Sequence, residues 1–148
     1  MLTELKAAAK EVGFGIVIAT SDKNIKDQLN IIVREETLPL ALCSWDLDVN
    51  VTFSDNGLMD NPTTTVTLLL IDKANSLEKI ELEKKAEEMG ELFIKFIKNA
   101  KNYMTTNTNV KENPISDISF TYVPKFGAGQ HSGVLAKFSM QLPIPSEC

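Results

Sequence analysis

Hydrophobic positions recur every three or four residues in some parts of this chain and alternate with polar positions in others. Near the start, apolar residues follow helical spacing at Leu2, Leu5, Ala8, Ala9 and Val12. Gly13 comes directly after them, where a glycine commonly ends a helix. The pattern predicts an N-terminal helix. The β-branched run that follows, Phe14–Ala19, is predicted to be either a strand or an extended connection.

A second, weaker helical pattern follows, with one apolar face formed by Ile25, Leu29, Ile32 and Val33. Ser21 or Asp22 is the candidate N-cap, because either side chain can accept a hydrogen bond from a free backbone N–H of the first turn. The pattern ends at Glu35, Glu36 and Pro39. It predicts a short helix before the first long strand.

The period then changes to strict alternation over residues 45–53. The apolar positions are Trp45, Leu47, Val49, Val51 and Phe53. Such a pattern predicts a half-buried strand with these five side chains facing the core. Turn-forming residues fill Ser54–Pro62, and Thr63–Asp72 reads as a second strand that becomes apolar on both faces. The two strands are predicted to form an antiparallel hairpin with a long loop.

The clearest helical pattern lies in the middle of the chain. Its apolar stripe consists of Met89, Leu92, Phe93, Phe96, Ile97, Ala100 and Tyr103. The spacing predicts a long amphipathic helix that begins after Asn75 or Ser76, with Thr105–Pro114 as a polar connection behind it. Glutamates fill its first half and lysines its second, an order that complements the helix dipole.

Alternation returns in two further segments. Ile118, Phe120 and Tyr122 predict a third strand, and the fourth is predicted from Val134, Ala136, Phe138, Met140 and Leu142. Residues 124–133 are predicted to be the loop between them. The predicted class is α+β: a mainly antiparallel four-stranded sheet of two hairpins, packed against one long helix, with an N-terminal helix. Residues 1–148 are expected to form a single domain, with a helical segment over 1–37 and the hairpin–helix–hairpin core over 38–143.

Composition narrows the possible functions without selecting one. The 148 residues are 43% hydrophobic and carry 15 Lys and Arg against 20 Asp and Glu, a net charge of −5. A basic excess, which a nucleic-acid-gripping surface needs, is therefore missing. No signal peptide and no membrane span are predicted, since the apolar runs fall far short of about 20 residues. One His and two Cys, Cys43 and Cys148, favour free thiols in a reducing compartment and predict no metal and no cofactor.

Individual residues offer few candidates for chemistry. A Ser-His or Cys-His pair would have to use His131, the one imidazole. Cys43 comes just before the predicted strand at Trp45, and nothing in the sequence brings it to His131. Glycines, Gln130 and Ser132 surround His131, so it is predicted to be an exposed loop residue. Asp46 and Asp48 would share one face of a strand and could hold a cation. The favoured interpretation is that they lie on the solvent-exposed face of an amphipathic strand.

Glycines and an aromatic residue mark the predicted last loop. Gly127 and Gly129 could suggest a phosphate loop, yet such a loop needs a helix N-terminus behind it, and both flanks here read as strands. A hairpin tip is therefore predicted. Phe126 would either cover the end of the sheet or anchor a partner, and the sequence leaves both open. Catalytic, cofactor and metal residues are not predicted.

The order of elements resembles that of small virion proteins of tailed bacteriophages. The resemblance rests on Leu38–Leu40 entering a strand, on Thr64–Asp72 leading into a Glu/Lys-rich helix, and on Ile118–Tyr122 followed by a loop and Ser132–Pro143. It covers roughly residues 38–143. It is closest to the tail-terminator and tail-completion type at the neck or upper tail, in versions from phages of Bacteroidetes hosts.

The resemblance implies a non-enzymatic virion subunit that forms a homo-oligomeric ring, with a hexamer favoured. Its expected partners are tail-tube and head-completion or connector proteins. DNA would pass through the ring without specific binding, and no membrane would be involved. The chain would be made in the host cytoplasm and reside in the virion. Inter-subunit contacts are expected at Asp55, Asn56, Leu58, Met59, Phe126, Gln130 and His131. The alternatives are a small cytosolic α+β enzyme or ligand-binding domain, and a tail-assembly adaptor or chaperone.

Overall fold

Two helices and five strands form the described part of the chain. The computed structural model describes residues 2–18, 39–45, 49–51, 53, 55, 57, 62–107, 114–126 and 131–142. In chain order the elements are α1 (Leu2–Val12), β1 (Gly15–Ile18), β2 (Leu40–Trp45), β3 (Thr63–Lys73), α2 (Lys79–Asn107), β4 (Ile115–Phe126) and β5 (His131–Gln141). The predicted second helix around Ile25–Val33 lies outside these residues.

The strands form one sheet in the order β1-β2-β3-β5-β4. All neighbours are antiparallel except β1 and β2, which run parallel with Gly15 opposite Leu40 and Ile18 opposite Cys43. The predicted α+β class is confirmed, with five strands in place of four. The extra strand is β1, so the first of the two interpretations of Phe14–Ala19 is the right one.

The end of α1 follows the expectation for Gly13. Its φ is 108°, in the region that favours glycine. The Gly13 N–H donates to the Lys10 carbonyl at 3.2 Å, and the Phe14 N–H donates to the Ala9 carbonyl at 3.0 Å. This pair of bonds is the Schellman motif, which satisfies carbonyls at the helix end. It also directs Phe14 into the core, where its ring lies 5.3 Å from that of Phe96.

Both described helices pack on one face of the sheet. The central strands supply Val66, Leu68 and Leu70 from β3 and Val134, Ala136, Phe138 and Met140 from β5. Phe93 of α2 lies at the centre of this core, 5.6 Å from the ring of Phe120 and 6.4 Å from that of Phe138. Burying an apolar side chain of this kind contributes about 1.5–3 kcal/mol. Apolar burial on this face therefore holds α2 to the sheet.

On the face of the sheet opposite the helices, burial differs between the β2–β3 part and the β4–β5 part. Leu40 and Leu42 of β2 and Leu69 and Ile71 of β3 are buried there. This agrees with the prediction that Thr63–Asp72 becomes apolar on both faces. The part of the same face that β4 and β5 form is largely exposed.

Helix α2 begins and ends later than predicted. It begins at Lys79 and not directly after Asn75 or Ser76. The Glu78 N–H donates to Ser76 Oγ at 3.2 Å before the helix, and the Leu82 N–H then donates to the Glu78 carbonyl at 3.0 Å. At the other end, Thr105 Oγ1 donates to the Lys101 carbonyl at 2.9 Å, a bond that lets a threonine continue the helix. Thr105 thus belongs to α2 and not to a connection.

Close contacts hold the first half of α2 to β3, β4 and β5. The buried Ser132 hydroxyl donates to the Leu82 carbonyl at 2.5 Å. Lys85 Nζ lies 2.9 Å from Glu88 and 3.4 Å from Asp72 at the end of β3. The hydrogen bond to Glu88, with Asp72 nearby, raises the pKa of Lys85 above its ordinary value. A Cβ at Gly90 would come within 2.9 Å of the Tyr122 ring, so glycine lets the helix approach β4.

The prediction of a half-buried strand over residues 45–53, made from the alternating pattern, is wrong. The strand is β2, which ends at Trp45, and Val49, Val51 and Phe53 are exposed instead of facing the core. The described backbone beyond β2 has one isolated antiparallel bridge to β3, between Asn50 and Thr63. Val49, Val51 and Phe53 therefore do not belong to the core, whereas Leu47 and the side chain of Trp45 lie outside the description.

The last hairpin also departs from its predicted boundaries. Ile118 and Tyr122 are exposed: Ile118 lies at a register shift after Ser116, where Asp117 takes a φ of 52°, and Tyr122 lies on the edge strand of the sheet. The strands reach Phe126 and resume at His131, so the predicted loop 124–133 is largely strand. A second register shift between Val123 and Phe126 accommodates Pro124, which an edge strand tolerates because it has no N–H to donate.

Candidate interaction surface

The structure describes three of the seven residues predicted as inter-subunit contacts. Asp55 is exposed in a turn, as the prediction requires. Asn56, Leu58, Met59 and Gln130 lie outside the described residues. Phe126 is the last residue of β4 and His131 the first of β5, so both belong to strands and not to a loop. The choice between a covering and an anchoring role for Phe126 stays open, since its side chain is outside the description.

His131 is half-buried at the far end of the sheet, opposite Lys73 on β3 and Phe126 on β4. The prediction of an exposed loop residue is therefore wrong. Burial lowers the pKa of His131, the positive charge of Lys73 lowers it further, and Asp72 opposes both. The imidazole is thus held toward its neutral form at the rim of the sheet.

Cys43 and His131 are not brought together. Cys43 pairs with Leu68 on one side of β3, whereas His131 pairs with Lys73 on the other. Five residue steps separate those positions, which is about 17 Å along β3 at 3.3–3.4 Å per residue. Cys43 is also fully buried, and this burial raises the pKa of its thiol to about 12. It is a core side chain and not the partner of a Cys-His pair.

Three apolar side chains that were predicted to face the core are exposed in the described part of the first hairpin. We call Val49, Asn50, Val51 and Phe53 the arm. Its apolar members are 46%, 51% and 66% exposed, respectively. Asn50 and Thr63 exchange two backbone hydrogen bonds, at 2.8 and 2.9 Å, which anchor the arm to the first residue of β3. Since residues i and i+2 of extended backbone share a side, Val49 and Val51 point the same way.

The arm and His131 lie at opposite ends of the sheet. The arm joins β3 at Thr63, and His131 pairs with Lys73 at the last residue of that strand. Ten residue steps separate these positions, which is about 33 Å at 3.3–3.4 Å per residue. The two hairpin ends therefore offer two different surfaces, facing away from each other along β3.

A second exposed surface lies on the face of the sheet opposite the helices. We call its members the β4–β5 outer face: Ser119, Thr121, Val123, Leu135 and Lys137. Ser119 pairs with Lys137, and Thr121 pairs with Leu135, which places these side chains on one side. Leu135 is 38% exposed, and Ser119, Thr121 and Lys137 are exposed as well. This face is a broad open surface with an apolar centre and a lysine.

The structure does not describe the residues considered for a cation site or a phosphate loop. Asp46, Asp48, Gly127 and Gly129 lie outside the described residues. Strands flank the two glycines on both sides, as the prediction of a hairpin tip requires. Among the residues whose positions are described, no group of three or more His, Cys, Asp or Glu could hold one metal ion. In the same residues, no helix is both long and apolar enough to cross a membrane.

No protein-family model matches this chain, and no curated protein matches its sequence.

Proposed function

We propose that this protein is a structural subunit of a tailed-phage virion, of the tail-terminator or tail-completion type, that forms a ring at the head–tail junction or upper tail. The resemblance over residues 38–143 supports this proposal. The α+β fold, with hairpins on either side of a long helix, has the element order on which that resemblance rests.

The observation that carries the proposal is the exposed arm. Val49, Val51 and Phe53 alternate in the sequence as the side chains of a buried strand do, yet each is about half exposed or more. A cluster of large, solvent-exposed apolar side chains is typical of an interaction site. A ring subunit needs such a surface, together with a different surface for the neighbour on its other side.

The charge of the chain fits a conduit for DNA. Its net charge of −5 disfavours adhesion of the duplex to the wall of a ring through which DNA passes. The ring would contact DNA without reading its sequence. Its specific partners would be its own copies, the tail tube and the head-completion or connector proteins.

Mass spectrometry of purified particles tests this function. Phage particles made by the host that carries the gene should contain this chain in a fixed ratio to the portal and tube proteins. A gene knockout should yield separated heads and tails, and a wild-type copy in trans should restore joined particles. A tail-assembly adaptor would give the same knockout phenotype but would be missing from the particles. Normal particles from the knockout would contradict both roles.

A further inference from the structure

We propose that the arm of one copy docks on the β4–β5 outer face of a second copy in a head-to-tail contact. The proposal deepens the proposed function by naming the surfaces that meet, and it rests on that function for the closure of the contacts into a ring. The contact itself is a property of the purified chain.

The apolar side of the contact comes from the arm and Leu135. Val51 and Phe53 are 51% and 66% exposed, and Leu135, at the centre of the outer face, is 38% exposed. Docking would remove these side chains from water, which contributes about 25 cal/mol for each Å² of apolar surface buried. The arm would lie across β4 and β5, where the open side of the sheet has room for it.

Charge selects the outer face as the partner of the arm. Residues 46–60, which contain the arm, include four Asp and no Lys or Arg. The outer face has Lys137 and no carboxylate, and Lys73 extends the same side of the sheet toward its far end. An acidic segment and a basic face attract each other and fix the orientation of the contact.

Another exposed apolar pair lacks a basic excess. Leu77 and Ile80, near the start of α2, are exposed. Glu78, Glu81 and Glu83 adjoin them in the sequence, together with Lys79 and Lys84. These charges nearly balance, so this patch lacks the positive excess that would attract an acidic arm.

The proposed contact joins two different surfaces, so it is heterologous. The arm leaves the sheet at Thr63, whereas the outer face lies along β4 and β5 on the side opposite the helices. Each copy would use its arm toward one neighbour and its outer face toward the other. Contacts of this kind close into a ring when the rotation between copies allows it and give open filaments when it does not.

Disulfide trapping between two differently tagged populations tests the contact. In a Cys148→Ser background, one population carries Val51→Cys and the other Leu135→Cys, while Cys43 stays buried. Mild oxidation should give a heterodimer at least tenfold faster than a control pair of Val51→Cys with Ile94→Cys. Ile94 is also exposed, but it lies on α2. Equal rates for the two pairs would overturn the proposal.

Charge reversal supplies an independent test. Lys137→Glu should weaken self-association at least tenfold, and adding Asp55→Lys should restore part of it. Lys98→Glu, an exposed change on α2, should leave association unchanged. Equal weakening by Lys98→Glu would count against the contact.

The two proposals can fail separately. Specific trapping in a chain missing from particles would reject the virion role and keep the contact. A chain present in particles that self-associates with no preference for the Val51–Leu135 pair would reject the contact and keep the virion role. A chain that stays monomeric and is missing from particles would reject both.

Discussion

Strand β5 and the arm have the same alternation of apolar and polar residues and opposite environments. Val134, Ala136 and Phe138 of β5 are fully or almost fully buried. Val49, Val51 and Phe53 of the arm, with the same spacing, are about half exposed or more. The difference lies in what faces each segment: α2 packs over β5, whereas the arm extends from the first residue of β3.

The contrast shows what alternation means in this chain. It identifies side chains that gain from burial, but it does not say whether the burying surface belongs to the same copy. For β5 that surface is α2 of the same chain. For the arm we propose that it is the outer face of a neighbouring copy.

The largest expected effect comes from truncating the core phenylalanine. Phe93→Ala should lower the free energy of unfolding by about 3–5 kcal/mol, because it removes a ring packed among Phe96, Phe120 and Phe138. Phe53→Ala in the arm, its matched control, should change that free energy by about 0.5 kcal/mol or less under monomeric conditions. Urea unfolding measures both. A loss for Phe53→Ala similar to that for Phe93→Ala would show that the arm belongs to the core.

A single methyl group on β5 should have the next largest effect. A Cβ at Gly133 would overlap the Leu70 carbonyl of the adjacent strand, and the backbone there cannot move without disturbing the β3–β5 pairing. Gly133→Ala should cost about 3 kcal/mol, at the upper end of the range for overpacking. Gly90→Ala should cost less, since its Cβ meets the movable Tyr122 ring and alanine favours a helix by about 1 kcal/mol. Thermal unfolding of both variants checks the order, and a reversed order would contradict it.

A medium effect is expected where β5 is fastened to α2. Ser132→Ala removes the buried hydroxyl that donates to the Leu82 carbonyl and should cost about 1 kcal/mol. The control is Ser119→Ala on the exposed outer face, which should be close to neutral. Chemical denaturation distinguishes them. Equal effects would mean that the hydroxyl contributes nothing specific to the helix–sheet contact.

The smallest effect concerns the pH dependence at His131. Its pKa is lowered in the folded chain, so the unfolded chain binds the proton more tightly. The free energy of unfolding should therefore rise as the pH increases from the lowered pKa of His131 to the ordinary His pKa of 6.5. Above pH 6.5 His131 should no longer make stability depend on pH. NMR titration of this one imidazole should give a pKa below 6.5, and Lys73→Gln should raise it. A wild-type pKa at or above 6.5 would contradict the described burial and charge.

The sequence predicted the fold class because most apolar side chains are buried within the copy that carries them. The stripe that includes Phe93 and Phe96 located α2, and Gly13 located the end of α1. The parallel pairing of β1 with β2 could not be predicted, because four residues carry too little pattern to show a partner distant in sequence. The ends of β4 and β5 were missed because glycines and Pro124 indicated a loop, whereas register shifts let the strands continue.

The candidate surface was predicted only in part. Turn residues identified the hairpin ends, and Asp55 is exposed there as expected. The arm was assigned to the core, since its alternation is the same as that of a buried strand. The signal that could have identified it is the run of four Asp over residues 46–60, which is acidic for a segment next to a core strand.

Sedimentation velocity tests the central claim about the arm most directly. Wild-type chain and a Val51→Ser/Phe53→Ser variant would be compared over the same concentration range, with urea unfolding of each monomer as the control. We predict that the wild-type chain forms an oligomer, that the variant stays monomeric, and that the two monomers unfold at similar urea concentrations. The same oligomer in both, or a variant monomer that is clearly less stable, would contradict an arm built for contact between copies.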